Sequence, residues 1–192
     1  MSEREIDHTA KVNYRKRNRF LRWLAEGLLL AGLLVGIGFW RVQDLPSGAA
    51  PPLRGALLDG AAFDLDALRG RPVLVHFWGT WCPVCRLESD TIAALARRHA
   101  VIAVSIGEPS AAVRRYFDAE GIRFPVLVDT NGRLQADWRV RAVPASFVLD
   151  RQGRIRFRSV GYTTRAGLEF RLWLADRMSG GGCEDGEGET CP

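Results

Sequence analysis

The sequence predicts an α/β fold, a mixed central sheet flanked by helices, preceded by one N-terminal transmembrane helix. Three observations carry that prediction. Strand-length apolar runs alternate with amphipathic stretches in the order β-α-β-α-β and then β-β-α, the pattern of a sheet with helices packed on it. Trp23 to Trp40 is an apolar run with a single charge, Glu26. The 192 residues leave room for one ordinary domain of roughly 150 residues with appendages. With 47% hydrophobic residues, 20 glycines and 9 prolines, the chain is neither fibrous nor disordered throughout. Four cysteines in this length exclude a small disulfide scaffold.

Residues 1–22 form a basic segment, with seven Lys or Arg against three Asp or Glu, and six of the seven lie between Lys11 and Arg22. Residues 23–40 follow as WLAEGLLLAGLLVGIGFW. As a helix this run would be about 27 Å long, close to the roughly 30 Å hydrocarbon core of a bilayer. Trp23, Phe39 and Trp40 fall where interfacial aromatics belong. The basic block precedes the run and only Arg41 closely follows it. The positive-inside rule then predicts a single pass of a bacterial inner membrane, with the N-terminus cytoplasmic and everything beyond Trp40 in the periplasm. A cleaved signal peptide, with Ser47-Gly48-Ala49 as its small-residue site, is the competing reading. A buried core helix is disfavoured by the basic run and the proline-rich exit. Under either of the first two readings the main domain faces an oxidising compartment.

Residues 41–52 read as a linker, because the three prolines of Asp44 to Pro52 keep it extended and unable to pack. The soluble domain is expected over 53–178. Ala56 to Leu65 reads as a hairpin around Asp59-Gly60. Arg71 to Trp78 reads as a strand buried on both faces. Val84 to Ala100 is helical, with Leu87, Ile92, Leu95 and Ala96 close to one face. Val101 to Ile106 is a buried strand, and Ser110 to Glu120 a helix ending at Gly121. Phe124 to Asp129 is a third core strand, followed by a turn at Asn131-Gly132 and a short helix toward Trp138. Ala145 to Asp150 and Arg154 to Val160 form a closing hairpin, and Thr164 to Met178 a helix with Leu168, Leu172 and Ala175 on one stripe. Residues 179–192 are acidic and glycine-rich, a composition that predicts disorder.

The net charge of +5 is not one patch: residues 1–22 carry +4, 41–178 carry +6, and the tail −4. Of the 27 basic residues 25 are Arg, a bias of the whole chain, and no nucleic-acid reading motif accompanies them. Nucleic acid is therefore not expected as a partner. The arginine alternation of RIRFRSV reads as a half-solvated strand face rather than an anion site.

Cys82-Pro83-Val84-Cys85 directly follows the buried strand and opens a helix. Free N–H groups and the helix dipole stabilise a thiolate at that N-terminus, and Pro83 occupies a first-turn position where its missing N–H costs nothing. Cys85 lies one turn on, so the two thiols can close a disulfide. Cys82 would attack a partner disulfide and Cys85 would resolve the mixed disulfide. Half a zinc site is the bland alternative, but the domain offers only His76 and His99 as further histidines, neither in a ligand spacing. No metal is expected.

VHFWGTWCPVC (Val75 to Cys85) resembles the active-site strand and loop of thioredoxins, and Val143-Pro144-Ala145-Ser146 is similar to their cis-proline loop. The preceding hairpin, and Glu88 three residues after Cys85, resemble the membrane-anchored periplasmic branch typified by ResA, TlpA and the cytochrome c maturation thioredoxins. FWGTWCPVCRLE with GYTTRAGLEFRLWLA most resembles the disulfide oxidoreductases associated with copper-sensitivity suppression (ScsD-like). The resemblance covers about Pro51 to Met178 and implies a thioredoxin-like sheet. It implies Cys82 as nucleophile, Cys85 as resolving thiol, Trp81 as the ring shielding the pair, and Pro144 as the cis-proline with Val143 presenting backbone to the bound peptide. Thioredoxins commonly carry a buried aspartate where this chain has His76, which is either a satisfied core histidine or a proton relay. Glu88 is the better candidate for moving the Cys85 proton, with a helix-dipole role as its alternative.

The function expected is a membrane-tethered periplasmic thiol–disulfide oxidoreductase acting on protein cysteines, in cytochrome c maturation or copper tolerance. Its partners would be cysteine-bearing proteins and a membrane thiol–disulfide electron carrier, and the redox-active Cys82–Cys85 disulfide its only redox group, without a cofactor. Two alternatives stand beside it. A peroxiredoxin-like antioxidant enzyme shares the scaffold, but requires threonine three residues before its cysteine, and Thr80 lies two before Cys82. A non-enzymatic copper-binding module would use the tail cysteines, Cys183 and Cys191, for which a local disulfide is the simpler expectation.

Overall fold

Val73–Trp78, with six apolar or uncharged side chains in a row, is the central strand and is buried throughout. The computed structural model describes residues 45–178, together with Trp23, Glu26, Gly27 and Leu29, which are helical. The basic segment, most of the expected inner-membrane span and the tail with Cys183 and Cys191 lie outside the described residues. Among the described residues no helix is long and apolar enough to cross a membrane.

The strands are β1 (Gly48–Ala49), β2 (Arg54–Ala56), β3 (Ala62–Asp64), β4 (Val73–Trp78), β5 (Ala100–Ile106), β6 (Val126–Asp129), β7 (Ala145–Leu149) and β8 (Arg154–Val160). The helices are α1 (Pro83–Ala96), α2 (Ser110–Glu120), α3 (Arg133–Asp137) and α4 (Arg165–Met178). A six-stranded sheet runs β1-β8-β7-β4-β5-β6, and β2 and β3 form a separate hairpin. β4 pairs in parallel with β5 and antiparallel with β7, with His76 opposite both Ala103 and Ser146. The mixed sheet of the prediction is thus present. Strands buried on both faces lose the period-two alternation, which is why β4 and β5 read as continuous apolar runs.

On one face Trp78 stacks with Phe117 of α2 at 6.0 Å and meets Phe124 edge-on at 5.2 Å, over a layer completed by Ile92 and Leu95 of α1 and by Leu168, Leu172 and Ala175 of α4. On the other, Phe77, Trp138 and Phe147 form a tilted triad with centroids 4.9 to 5.8 Å apart. Gly121 ends α2 in the left-handed region at φ 65°, where glycine has no Cβ penalty.

Three expectations change. Leu87 is 74% exposed and not part of the core. At 100° per residue the stripe of Ile92 and Leu95 continues through Ser89, Glu88 and Cys85, all buried, so polar groups take the inner face that hydrophobicity would assign to the leucine. The supposed linker also packs. Leu45 is buried, Gly48 and Ala49 pair with Ile155 and Arg154, and the Arg158 guanidinium donates to the Leu45 carbonyl at 2.7 Å. Finally, the arginines of β8 are not simply a solvated face, since Arg156 pairs with the buried Asp150 carboxylate at 2.6 Å.

Candidate active site

The C-terminal end of β4 delivers the site. Past Trp78 the chain turns through Gly79-Thr80-Trp81 into Cys82, which caps α1. A Cβ on Gly79 would stand 2.5 Å from Trp81 Nε1, so the close approach of the indole to the backbone requires glycine there. Trp81 is 58% exposed, donates its indole N–H to the Ile106 carbonyl at 3.0 Å, and with Val143 lines a cleft of about 380 Å³. The loop is held from beneath by Glu108. Its buried carboxylate accepts the Thr80 amide at 2.9 Å and both the Thr80 and Ser105 hydroxyls.

Cys82 Sγ accepts the Cys85 amide at 3.2 Å, an arrangement that favours negative charge on the sulfur. As a thiol it donates to the Val143 carbonyl at 3.8 Å. The Val143–Pro144 peptide bond is cis, and the Pro144 carbonyl accepts from Gly161 at 2.8 Å. Both active-site cysteines are buried free thiols. Burial pushes the Cys85 thiol up, and the hydrogen bond with Cys82 and the negative charge of Cys82 and Glu88 push it further in the same direction.

Glu88, one turn beyond Cys85, is only 1% exposed. Its Oε1 accepts the Thr163 amide, whereas Oε2 has no hydrogen-bond partner. Burial raises its pKa to about 7 against the lowering effect of the Thr163 N–H. His76 lies across from it on β4, its Nε2 3.9 Å from Oε2 and its Nδ1 2.9 Å from Ser146 Oγ. Burial lowers the His76 pKa to about 4, so the imidazole is neutral at neutral pH.

The fold therefore gathers Cys82, Cys85, Glu88, His76, Trp81, Val143 and Pro144 at one end of the sheet. It adds Glu108, which no motif marks, and Ser146 and Thr163, which lie within the stretches that carry the resemblance but are given no role by it. The signal for Glu108 is faint: an acid immediately after a buried strand and a glycine. Among the described residues no group of three or more His, Cys, Asp or Glu is placed to hold a metal ion. Chemically the arrangement offers a sulfur poised at a helix N-terminus, a second thiol held protonated, and an acid that exchanges a proton near neutral pH.

The AhpC/TSA family model matches residues 46–158. The chain is 32% identical over 169 residues to the thioredoxin-like protein YneN of Bacillus subtilis, covering 80% of this chain and 98% of that protein. It is 36% identical over 135 residues to the thiol:disulfide interchange protein DsbE homolog of Paracoccus denitrificans, covering 66% and 75%. A solved thiol:disulfide interchange protein of the thioredoxin family, from Chlorobium tepidum, superposes with a TM-score of 0.56 at 28% identity, over 69% of this chain and 98% of that one.

Proposed function

The chain belongs to the AhpC/TSA family and is a thiol–disulfide oxidoreductase of the thioredoxin fold; from that premise we propose that it works tethered to a bacterial inner membrane, on protein cysteines in the periplasm. The carrying observation is the stack of Cys82 capping α1, Cys85 buried behind it, and Glu88 buried one turn further on.

In the reducing direction, the Cys82 thiolate attacks one sulfur of a partner disulfide. That bond breaks, a mixed disulfide forms, and the partner's other sulfur leaves as a thiolate that takes a proton from water. Cys85 then gives its proton to the Glu88 carboxylate and attacks Cys82 Sγ. The Cys82–Cys85 disulfide forms and the partner's second thiolate leaves, so two electrons have passed to the partner. Trp81 and Val143 border the cleft in which the partner chain would lie, with the Val143 backbone beside the reacting sulfur. Re-reduction requires a donor, for which a membrane thiol–disulfide carrier is the class of partner. Cytochrome c maturation and copper tolerance are the processes such an enzyme would serve. The apolar run Trp23 to Trp40 behind its basic block supports the tether and its orientation.

Cys85→Ser in the full-length chain, expressed in the native envelope, removes the resolving thiol. Mixed disulfides through Cys82 with exported, cysteine-bearing proteins are expected in the membrane fraction and are identified by mass spectrometry. If Cys82 stays reduced and captures nothing, the oxidoreductase reading fails. Capture of cytosolic proteins alone reverses the orientation, and oxidation by hydrogen peroxide in preference to protein disulfides restores the peroxidase reading.

A further inference from the structure

We infer that His76 is a positioning residue for proton transfer: a neutral imidazole with its proton on Nδ1, whose bare Nε2 receives the Oε2–H bond that forms when Glu88 takes the Cys85 proton. The inference rests on the dithiol chemistry proposed above and adds to it the group that stabilises the protonated acid.

Both rings of contact around the pair are closed except the one between them. His76 Nδ1 meets Ser146 Oγ at 2.9 Å, and Glu88 Oε1 is taken by the Thr163 amide. His76 Nε2 and Glu88 Oε2 then face one another at 3.9 Å, about 1 Å beyond the usual hydrogen-bond distance, and Oε2 has no other partner. The groups facing Glu88 are His76 from β4, Cys85 from α1, and the Thr163 amide after β8. Among the described residues no lysine or arginine pairs with it.

The gap distinguishes the two tautomers. With the proton on Nε2, an N–H would point at Glu88 Oε2, a buried carboxylate oxygen that lacks a donor. Charge-assisted bonds of that kind close to about 2.7–2.9 Å, and a buried donor and acceptor left facing one another unpaired are strongly disfavoured. With the proton on Nδ1, donated to Ser146, a nitrogen lone pair faces an oxygen lone pair, and the two stand apart. Proton arrival on Oε2 turns that opposition into an O–H···N bond. His76 thereby raises the proton affinity of Glu88 without carrying a charge, and burial withholds the cationic form that would instead hold Glu88 ionised. The thiol proton released as Cys85 attacks Cys82 has a defined resting place one turn away, and returns from it in the reverse reaction.

Two measurements test this on the full-length protein in detergent micelles. Long-range proton–nitrogen correlation of the isotope-labelled His76 ring at neutral pH is expected to show the Nδ1–H tautomer, against the Nε2–H form that free histidine favours. An Nε2–H tautomer or an imidazolium overturns the inference without any variant. The second is stopped-flow reaction of the reduced protein with dithiobis(nitrobenzoate), a symmetrical aromatic disulfide. The first thiolate released reports attack by Cys82 and the second reports resolution by Cys85. His76→Asn is expected to slow the second release about tenfold, a part of the hundredfold or more that a positioned acid–base group contributes, and to leave the first unchanged. In the Glu88→Gln background the same substitution is expected to change the second release less than about twofold. Equal slowing in both backgrounds, or equal slowing of both steps, assigns His76 a merely structural role. If the parent protein itself gives no second release, the dithiol reading has failed rather than the role of His76.

Discussion

Burial displaces the two ionisable groups beneath Cys85 in opposite senses, and the consequence is a stability profile in which each masks the other. Glu88 is raised from 4.5 to about 7; folding disfavours its charged form, so its contribution is lost as pH rises across that interval. His76 is lowered from 6.5 to about 4; its contribution is lost as pH falls across that interval. Each displacement corresponds to about 3 kcal/mol at roughly 1.4 kcal/mol per pH unit. Between pH 4.5 and 6.5 the two slopes cancel, and this pair leaves stability nearly flat. Glu88→Gln removes one of them and keeps the Thr163 amide satisfied. Its stability is then expected to fall by about 3 kcal/mol between pH 6.5 and 4, read from urea unfolding at stepped pH. A flat profile in the variant would show that folding does not hold His76 neutral. At this scale the sequence was legible where chemistry is written as spacing. Cys82, Cys85 and Glu88 follow one another at intervals of three, and the resemblance of Val143 to Ser146 to a cis-proline loop implied the cis bond that Val143–Pro144 adopts. Whether His76 was a core residue or a relay was not legible, because one of its partners, Ser146 of β7, lies 70 residues along the chain and only the fold brings it to the ring.

Between elements, the exit of β5 is what holds the entry to α1. Glu108 follows Ile106 and Gly107, and its carboxylate collects donors from Thr80 and Ser105, while the Ile106 carbonyl takes the Trp81 indole. The loop carrying Cys82 is thus fastened to the parallel neighbour of its own strand. Glu108→Ala is expected to leave the Thr80 amide and two hydroxyls without acceptors and to cost about 2 to 4 kcal/mol. It should also slow the first step with an aromatic disulfide, since Cys82 loses its fixed approach. Unfolding midpoints together with that rate check it; an unaltered rate in a folded variant would remove Glu108 from the site. Elements with a strong period were readable to within a few residues: α2 spans Ser110–Glu120 as its pattern and Gly121 predicted. The face of α1 was misread at Leu87, because the site's polar groups occupy the inner stripe and reverse the rule that apolar residues point inward.

Across the whole molecule, the boundary of the domain is where composition misled. Asp44 to Pro52 carries three prolines and no alternation, so nothing in it signals a strand; yet two residues between those prolines suffice to cover the edge of β8. The edge matters because β8 would otherwise present Ile155 and Arg154 with unpaired backbone, a template for pairing with another chain. Leu45, at 5% exposure, adds roughly 2 kcal/mol of apolar burial, and the Ala50 amide is satisfied by the Gly153 carbonyl at 3.0 Å. A soluble chain beginning at residue 53 is therefore expected to unfold at lower urea than one beginning at residue 45, by about 2 kcal/mol, and to self-associate through the uncovered β8. Its dithiol should still react at the parent rate, because β8 and β7 stand between that edge and β4. Equal unfolding midpoints and a monomeric shorter chain, by equilibrium unfolding and light scattering, would return the segment to the role of a passive linker. A lowered midpoint with an altered dithiol rate would instead mean that the edge strand is coupled to the redox end of the sheet through the β8–β7–β4 ladder.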